Sequence, residues 1–278
     1  MFNVITILIT YILDRQGLLS KVRSYANIFF LKYVRIFIKT EFSNQRHIRY
    51  AYLFTIIPII IFLIFMNIIL HKLFFANYIF DMFIFMLTVD MLRWKLEIQK
   101  NDNNNSFIIA YATKFFVPIF WFIFLPYGIG STCYLIIMLL SIELKNKIAD
   151  SVVYNTVVDK MLFYINLVPY FILFFFISVA SNFENIAYHI LSERKKLNKS
   201  FYLLNNLLSE IILIAIDDNK FKNIIDNDDI ADAGLDMHDN LKVHSDQYVI
   251  AILYRTGIFF VGTYSIIQFF RFIEFLIN

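Results

Sequence analysis

The chain has 278 residues, of which 59% are hydrophobic and only 17% charged, and it contains 33 Phe, 17 Tyr and 4 Pro. That balance excludes a disordered chain and leaves more apolar surface than the core of one soluble domain can hide. The net charge of +3 is too small to imply nucleic acid, and the single cysteine, Cys133, can make no intrachain disulfide.

The expectation is an all-α, polytopic membrane protein with about five transmembrane helices and an amphipathic interfacial helix near the N-terminus. Four regions follow from it: 1–49, an anchor and a basic helix; 50–181, a transmembrane region; 182–247, a helical and acidic cytoplasmic loop; and 248–278, a last span. Residues 1–13 are apolar but lack a basic region before them and a small-residue cleavage site after them, which predicts a buried or anchoring helix rather than a cleaved signal. Over 17–49 the period becomes helical. At 100° per residue Lys21, Lys32, Arg35 and Lys39 fall within roughly 60° of one another, opposite Leu19, Val22, Ala26, Phe29, Phe30, Tyr33 and Phe37. Such a division fits a helix lying in the membrane interface, with its cations on anionic lipid headgroups. The alternative is a cytoplasmic helix covering another helix.

Residues 50–75 form an apolar run containing Pro58, Asn67, His71 and Lys72, long enough to span a bilayer. A second run, 78–94, contains Asp81 and Asp90 and ends at Arg93-Trp94, so the two predict a helical hairpin. Residues 101–106 read as a hydrophilic linker. The stretch 107–142 predicts a broken helix, because Pro118, Pro126, Gly128 and Gly130 interrupt it. Residues 161–181, with Asn166 and Pro169, and 248–277, with Arg255, Arg271 and Glu274, predict two more spans.

Loop charges set the orientation. Residues 14–49 hold eight Lys or Arg against two acids, 93–100 hold three against one, and Arg194, Lys195, Lys196 and Lys199 cluster after the fourth span. All three belong on the cytoplasmic side, which five spans with an inside N-terminus and an outside C-terminus satisfy. A four-span version, with 161–181 buried without crossing, fits those charges less well. Between Asp217 and Asp246 lie nine Asp and three Lys. As a calcium loop begun at Asp226 this stretch fails at Ala231, where Gly is required, and at Met237, where a bidentate Glu is required. It reads as a solvated acidic loop, and no metal ligands are nominated.

No phosphate loop, dinucleotide-binding glycine motif, zinc helix or serine-nucleophile elbow is present. The chemistry-bearing candidates are polar groups at membrane depth: Asp81, Asp90, Asn166 and Arg255, with Asp159 at an edge. Asp14 and Arg255 are expected at the same cytoplasmic boundary, where a carboxylate and a guanidinium can pair bidentately.

Several stretches together resemble the AmpE family of bacterial inner-membrane proteins. They are Tyr11-Ile12-Leu13-Asp14-Arg15; Phe115-Phe116-Val117-Pro118-Ile119-Phe120-Trp121 leading to Gly128-Ile129-Gly130; Val158-Asp159-Lys160-Met161-Leu162 running to Asn166-Leu167-Val168-Pro169; and Ala251-Ile252-Leu253-Tyr254-Arg255. The resemblance implies a multi-pass regulatory protein of cell-wall recycling and β-lactamase induction, with a cytosolic amidase resembling AmpD as partner and no cofactor. The family is similar to the CbiB/CobD membrane enzymes of cobalamin synthesis. That relation implies an alternative: amide formation with Asp14 and Asp159 as catalytic carboxylates, binding Mg²⁺ or activating an amine. From those enzymes' Gly-Asp-Pro continuation the stretch Asp14-Arg15-Gln16-Gly17-Leu18 departs. A small transporter, with Asp81 and Arg255 as its polar pair, is the third reading.

Overall fold

The fold is that of a computed structural model, which describes residues 2–38, 45–70, 72, 74–90, 104–125, 128–147, 152–181, 183–193, 197, 199–216 and 237–277. Lys39, Arg93-Trp94, residues 101–103, Pro126, residues 194–196 and the acidic run 217–236, with Asp226 and Ala231, lie outside these. Among the described residues the secondary structure is helical without strands: α1 (Phe2–Arg15), α2 (Leu19–Phe37), α3 (Gln45–Leu70), α4 (Phe74–Thr88), α5 (Asn104–Tyr111), a π-helical turn (Ala112–Phe116), α6 (Val117–Phe124), α7 (Ile129–Lys147), α8 (Val152–Ala180), α9 (Phe183–Glu193), α10 (Phe201–Ile216) and α11 (Met237–Ile277).

Among the described residues four stretches are long and apolar enough to cross a membrane: Ile48–Leu70, Phe107–Phe124, Val157–Ala180 and Val249–Arg271. This is an all-α polytopic membrane protein. On α3 the exposed side is the more apolar one, with Leu53, Phe54, Ile57, Ile61, Phe65 and Ile68 facing outward, whereas Tyr52, Thr55 and Asn67 are buried. Only a hydrocarbon surround makes that inversion favourable. The predicted hairpin forms from α3 and α4, which pack together. Its second arm is shorter than the run 78–94 implies, since α4 has 15 residues and reaches about 22 Å.

The break expected in 107–142 falls between α6 and α7. Gly128 sits at φ +63°, and a Cβ on Gly130 would overlap the Trp121 carbonyl oxygen. That carbonyl accepts the Leu125 N–H at 2.9 Å, so α6 ends there and α7 turns back against it. Earlier in the same span Pro118 lacks an N–H, and its ring conflicts with the carbonyl four residues before it. The helix answers by widening: Val117 N–H bonds the Ala112 carbonyl, five residues back.

The helix predicted over 17–49 forms as α2, and it packs against α3, α4 and α7. Arg23, Val34 and Ile38 are buried, while Tyr25, Phe29 and Ile36 are exposed. Gly17, at φ +72°, makes this docking reachable by reversing the chain after α1.

The centre of the bundle is α8, against which α7, α10 and α11 pack. Leu204, Leu208, Ile211 and Ile212 of α10 are fully buried. Residues 201–216, placed by composition inside a cytoplasmic loop, are thus part of the core. Their apolar positions recur at helical spacing, and the polar residues around them obscured the run.

Candidate functional site: a buried arginine beside a cavity

Helix α2 carries one cation on its inward side. Arg23 shares a helical face with Asn27, Phe30 and Val34, well away from Lys21 and Lys32 on the wheel. Its side chain is 5% exposed, and Nη1 donates to Asp14 Oδ1 at 2.6 Å, where the carboxylate is equally buried. Asp90 Oδ1 lies 3.3 Å from the same nitrogen, on a side chain 31% exposed. Nε donates to the Met86 carbonyl at 2.7 Å. Three helical segments therefore meet on one guanidinium: the C-terminal turn of α1, the first turns of α2, and the end of α4. Burying an ionised group is tolerated only with such partners. Arg23 Nη2, although buried, has none among the described residues.

Arg23 forms one wall of a cavity of about 370 Å³. Asn27, Thr88, Asp90, Thr113, Lys114 and Tyr134 supply its polar lining, and Leu87, Pro118 and Met138 part of its apolar lining. Lys114 belongs to the π-helical turn, seven residues into the span that begins at Phe107 and so roughly 10 Å along it. Behind the cavity, hydrogen bonds run between helices. Thr88 Oγ1 donates to Ser131 Oγ at 3.0 Å, Tyr134 OH to Asn166 Oδ1 at 3.1 Å, and Tyr170 OH to Asn205 Oδ1 at 2.6 Å.

Of the polar residues singled out by sequence, Asp14 and Asp90 converge on Arg23. Asn166 is fully buried; it accepts from Tyr134 and donates Nδ2 to the Leu162 carbonyl at 2.7 Å. Asp159 stands apart, where its carboxylate accepts the Tyr202 N–H at 3.3 Å at the start of α10. Asp81 is hydrogen-bonded by the Asn67 side chain across the α3–α4 hairpin. Arg255 is exposed on α11, so the expected pairing of Asp14 with Arg255 is replaced by Asp14 with Arg23. The carboxylates required together by the enzyme alternative, Asp14 and Asp159, have separate partners on separate helices. Among the described residues no group of three or more His, Cys, Asp or Glu is arranged to hold a metal ion.

The predicted lipid-contacting cations divide. Lys21 and Lys32 are exposed, whereas Arg35 forms two hydrogen bonds to Glu143, at 2.8 and 3.1 Å, with 59% of its side chain exposed. Those bonds, and then the carboxylate charge, raise the Arg35 guanidinium above its ordinary range. Arg23 itself escaped the sequence reading. The signal was there, because Arg23 falls among Leu19 and Phe30 on the apolar face of α2, where an unpaired cation is costly.

Fold and site together define a polytopic helical membrane protein with a buried ionic cluster at the edge of a polar cavity. No protein-family model, no curated protein and no solved structure matches the chain.

Proposed function

We propose that the chain is a ligand-sensing regulatory protein of the bacterial inner membrane, of the AmpE type, acting in cell-wall recycling and β-lactamase induction. The observation that carries this reading is Arg23. Its guanidinium ties α1, α2 and α4 together through Asp14, Met86 and Asp90, and the residue lines a cavity. A ligand acceptor in that cavity that drew on the guanidinium would compete with the two carboxylates and so bias how the three helices pack. That is the differential contact a switch requires. Catalysis by Asp14 is less favoured, because its carboxylate is held by Arg23 at 2.6 Å and has Asp159 elsewhere. The exposed cations of α2, Lys21 and Lys32, provide a surface for anionic lipids, and the cytosolic partner is an amidase resembling AmpD.

The test is complementation in a bacterium with inducible β-lactamase whose own AmpE-type gene is deleted. Wild-type chain restores the induction response, and Arg23→Gln, inserted in the membrane at equal abundance, does not. Equal responses from the empty vector and the wild type would reject the reading.

A further inference from the structure

We infer that the groove between α6, α8 and α11 binds one anionic phospholipid, with its phosphate on Arg271 and an acyl chain over the aromatic floor at Phe260. The site lies apart from the Arg23 cavity and does not depend on the ligand-sensing reading.

Ring contacts set the depth of this groove, whose volume is about 450 Å³. Phe260 of α11 lies 5.6 Å from the Phe176 ring of α8 and 6.5 Å from the Phe120 ring of α6, centroid to centroid. Phe176 and Phe120 each stand four residues before the end of their spans, Val157–Ala180 and Phe107–Phe124. Helix α11 runs parallel to α6, because Tyr111 OH donates to the Leu253 carbonyl while Phe116 and Phe120 meet Phe260. The same step of four residues along α11 leads from Phe260 to Tyr264. The hydrocarbon boundary therefore falls near Tyr264, and Arg271, seven residues and about 10 Å further on, stands among the headgroups. Helical side chains lean toward the N-terminus. Arg271 acts electrostatically on the Tyr264 phenol, so its guanidinium reaches back over the groove, which it lines.

In that direction the lining grades from apolar to cationic. Tyr264, Gln268 and Arg271 follow Phe260 at helical spacing on the groove side of α11. Tyr264 OH accepts from Asn3 Nδ2 at 3.1 Å and is hydrogen-bonded to the Gln268 side chain. A phospholipid presents the same order of acyl chain, glycerol esters and phosphate over a similar length, since Phe260 and Arg271 are separated by about 16 Å of helix. Phe124 and Ile267 line the groove and are exposed, so it opens sideways to the bilayer. Charge selects the headgroup. Among the described residues no carboxylate lines the groove, and none forms an ion pair with Arg271; Glu274, at the next turn, is exposed. A lipid phosphate complements the guanidinium, whereas the ammonium of a zwitterionic lipid finds no acid in the groove. A soluble phosphate would use Arg271 and leave the aromatic floor uncovered.

The experiment uses full-length protein in nanodiscs of phosphatidylglycerol and phosphatidylcholine in equal amounts, with retained lipid counted by native mass spectrometry after release into detergent. A parallel calorimetric titration uses glycerol 3-phosphate. Wild type is expected to retain phosphatidylglycerol about fivefold over phosphatidylcholine, the effect of one arginine at a lipid surface, and to leave glycerol 3-phosphate unbound. Arg271→Gln is expected to retain the two lipids equally. Thr263→Trp, which puts an indole into the groove from an exposed position and keeps the cation, is expected to do the same. Arg255→Gln removes an exposed arginine of the same helix that does not line the groove, and it is expected to keep the wild-type preference. Circular dichroism confirms that each variant is helical. Equal retention of the two lipids by wild type overturns the anionic assignment. A preference that survives in Arg271→Gln, or is lost as fully in Arg255→Gln, overturns the site, and an unchanged Thr263→Trp overturns the placement of the chain. Glycerol 3-phosphate bound by wild type and Thr263→Trp but not by Arg271→Gln would replace the lipid with a soluble anion.

Discussion

Removing Asp14 tests the ionic cluster from the stability side. With both side chains 5% exposed, the Asp14–Arg23 bond at 2.6 Å is a buried pair, and deleting one partner of such a pair costs about 3–5 kcal/mol. Arg23 keeps two other contacts, however: the Met86 carbonyl at 2.7 Å and Asp90 at 3.3 Å. Those lower the expected loss for Asp14→Asn to about 2 kcal/mol, the value of one hydrogen bond to a charged group. Arg23→Met removes the cation that holds Asp14 and stands beside Asp90 and is expected to cost about 3 kcal/mol. The double variant carries neither charge, and its cost should be well below the sum, with a coupling of about 2–3 kcal/mol between the sites. Reversible unfolding in mixed micelles, followed by circular dichroism on all four proteins, measures the cycle. Additivity within about 0.5 kcal/mol would refute a direct buried pair.

Other outcomes follow from the same structure. Gly130→Ala places a Cβ on the Trp121 carbonyl and should cost about 3 kcal/mol or more, whereas Gly262→Ala, with nothing within 4 Å of its Cβ, should be silent; yield of monodisperse protein separates them. Tyr134→Phe removes the donor to Asn166 Oδ1 but leaves the Leu162 bond, so thermal unfolding should show a loss of about 1 kcal/mol. Glu143→Gln breaks the two-bond pair to a largely exposed Arg35 and should change stability only at low salt, which a salt series on the same unfolding assay detects. Reporter fusions after Lys100 and Lys199 should report opposite sides, because α7 turns back against α6 and α8 then crosses once. The same side for both would mean that 107–147 crosses the bilayer.

The spans were legible because hydrocarbon imposes length and apolarity on each helix separately. The α6–α7 break was legible as well, since Gly128 and Gly130 mark a turn that other residues cannot make. Partner choice was not. Asp14 and Arg255 share a boundary by topology alone, but the docking of α2, which brings Arg23 within 2.6 Å of Asp14, depends on packing against α3, α4 and α7. The same docking leaves aromatic residues such as Phe29 on the outer surface, in keeping with their membrane-interface pattern, while Arg23 turns inward. Helix α10 was overlooked for a related reason: Asn205 and Ser209 break its apolar run, and their burial follows from partners such as Tyr170 on α8.

The central claim is that the Arg23 cluster holds α1, α2 and α4 together beside a cavity, where a ligand can bias their packing. A cryo-electron microscopy map of the full-length protein in nanodiscs tests it most directly. The account predicts Arg23 bonded to Asp14 and the Met86 carbonyl with Asp90 alongside, next to an open cavity bordered by Lys114, Thr88 and Tyr134. A map in which Arg23 is turned away from Asp14, or in which the cavity is closed by its own side chains, would contradict it.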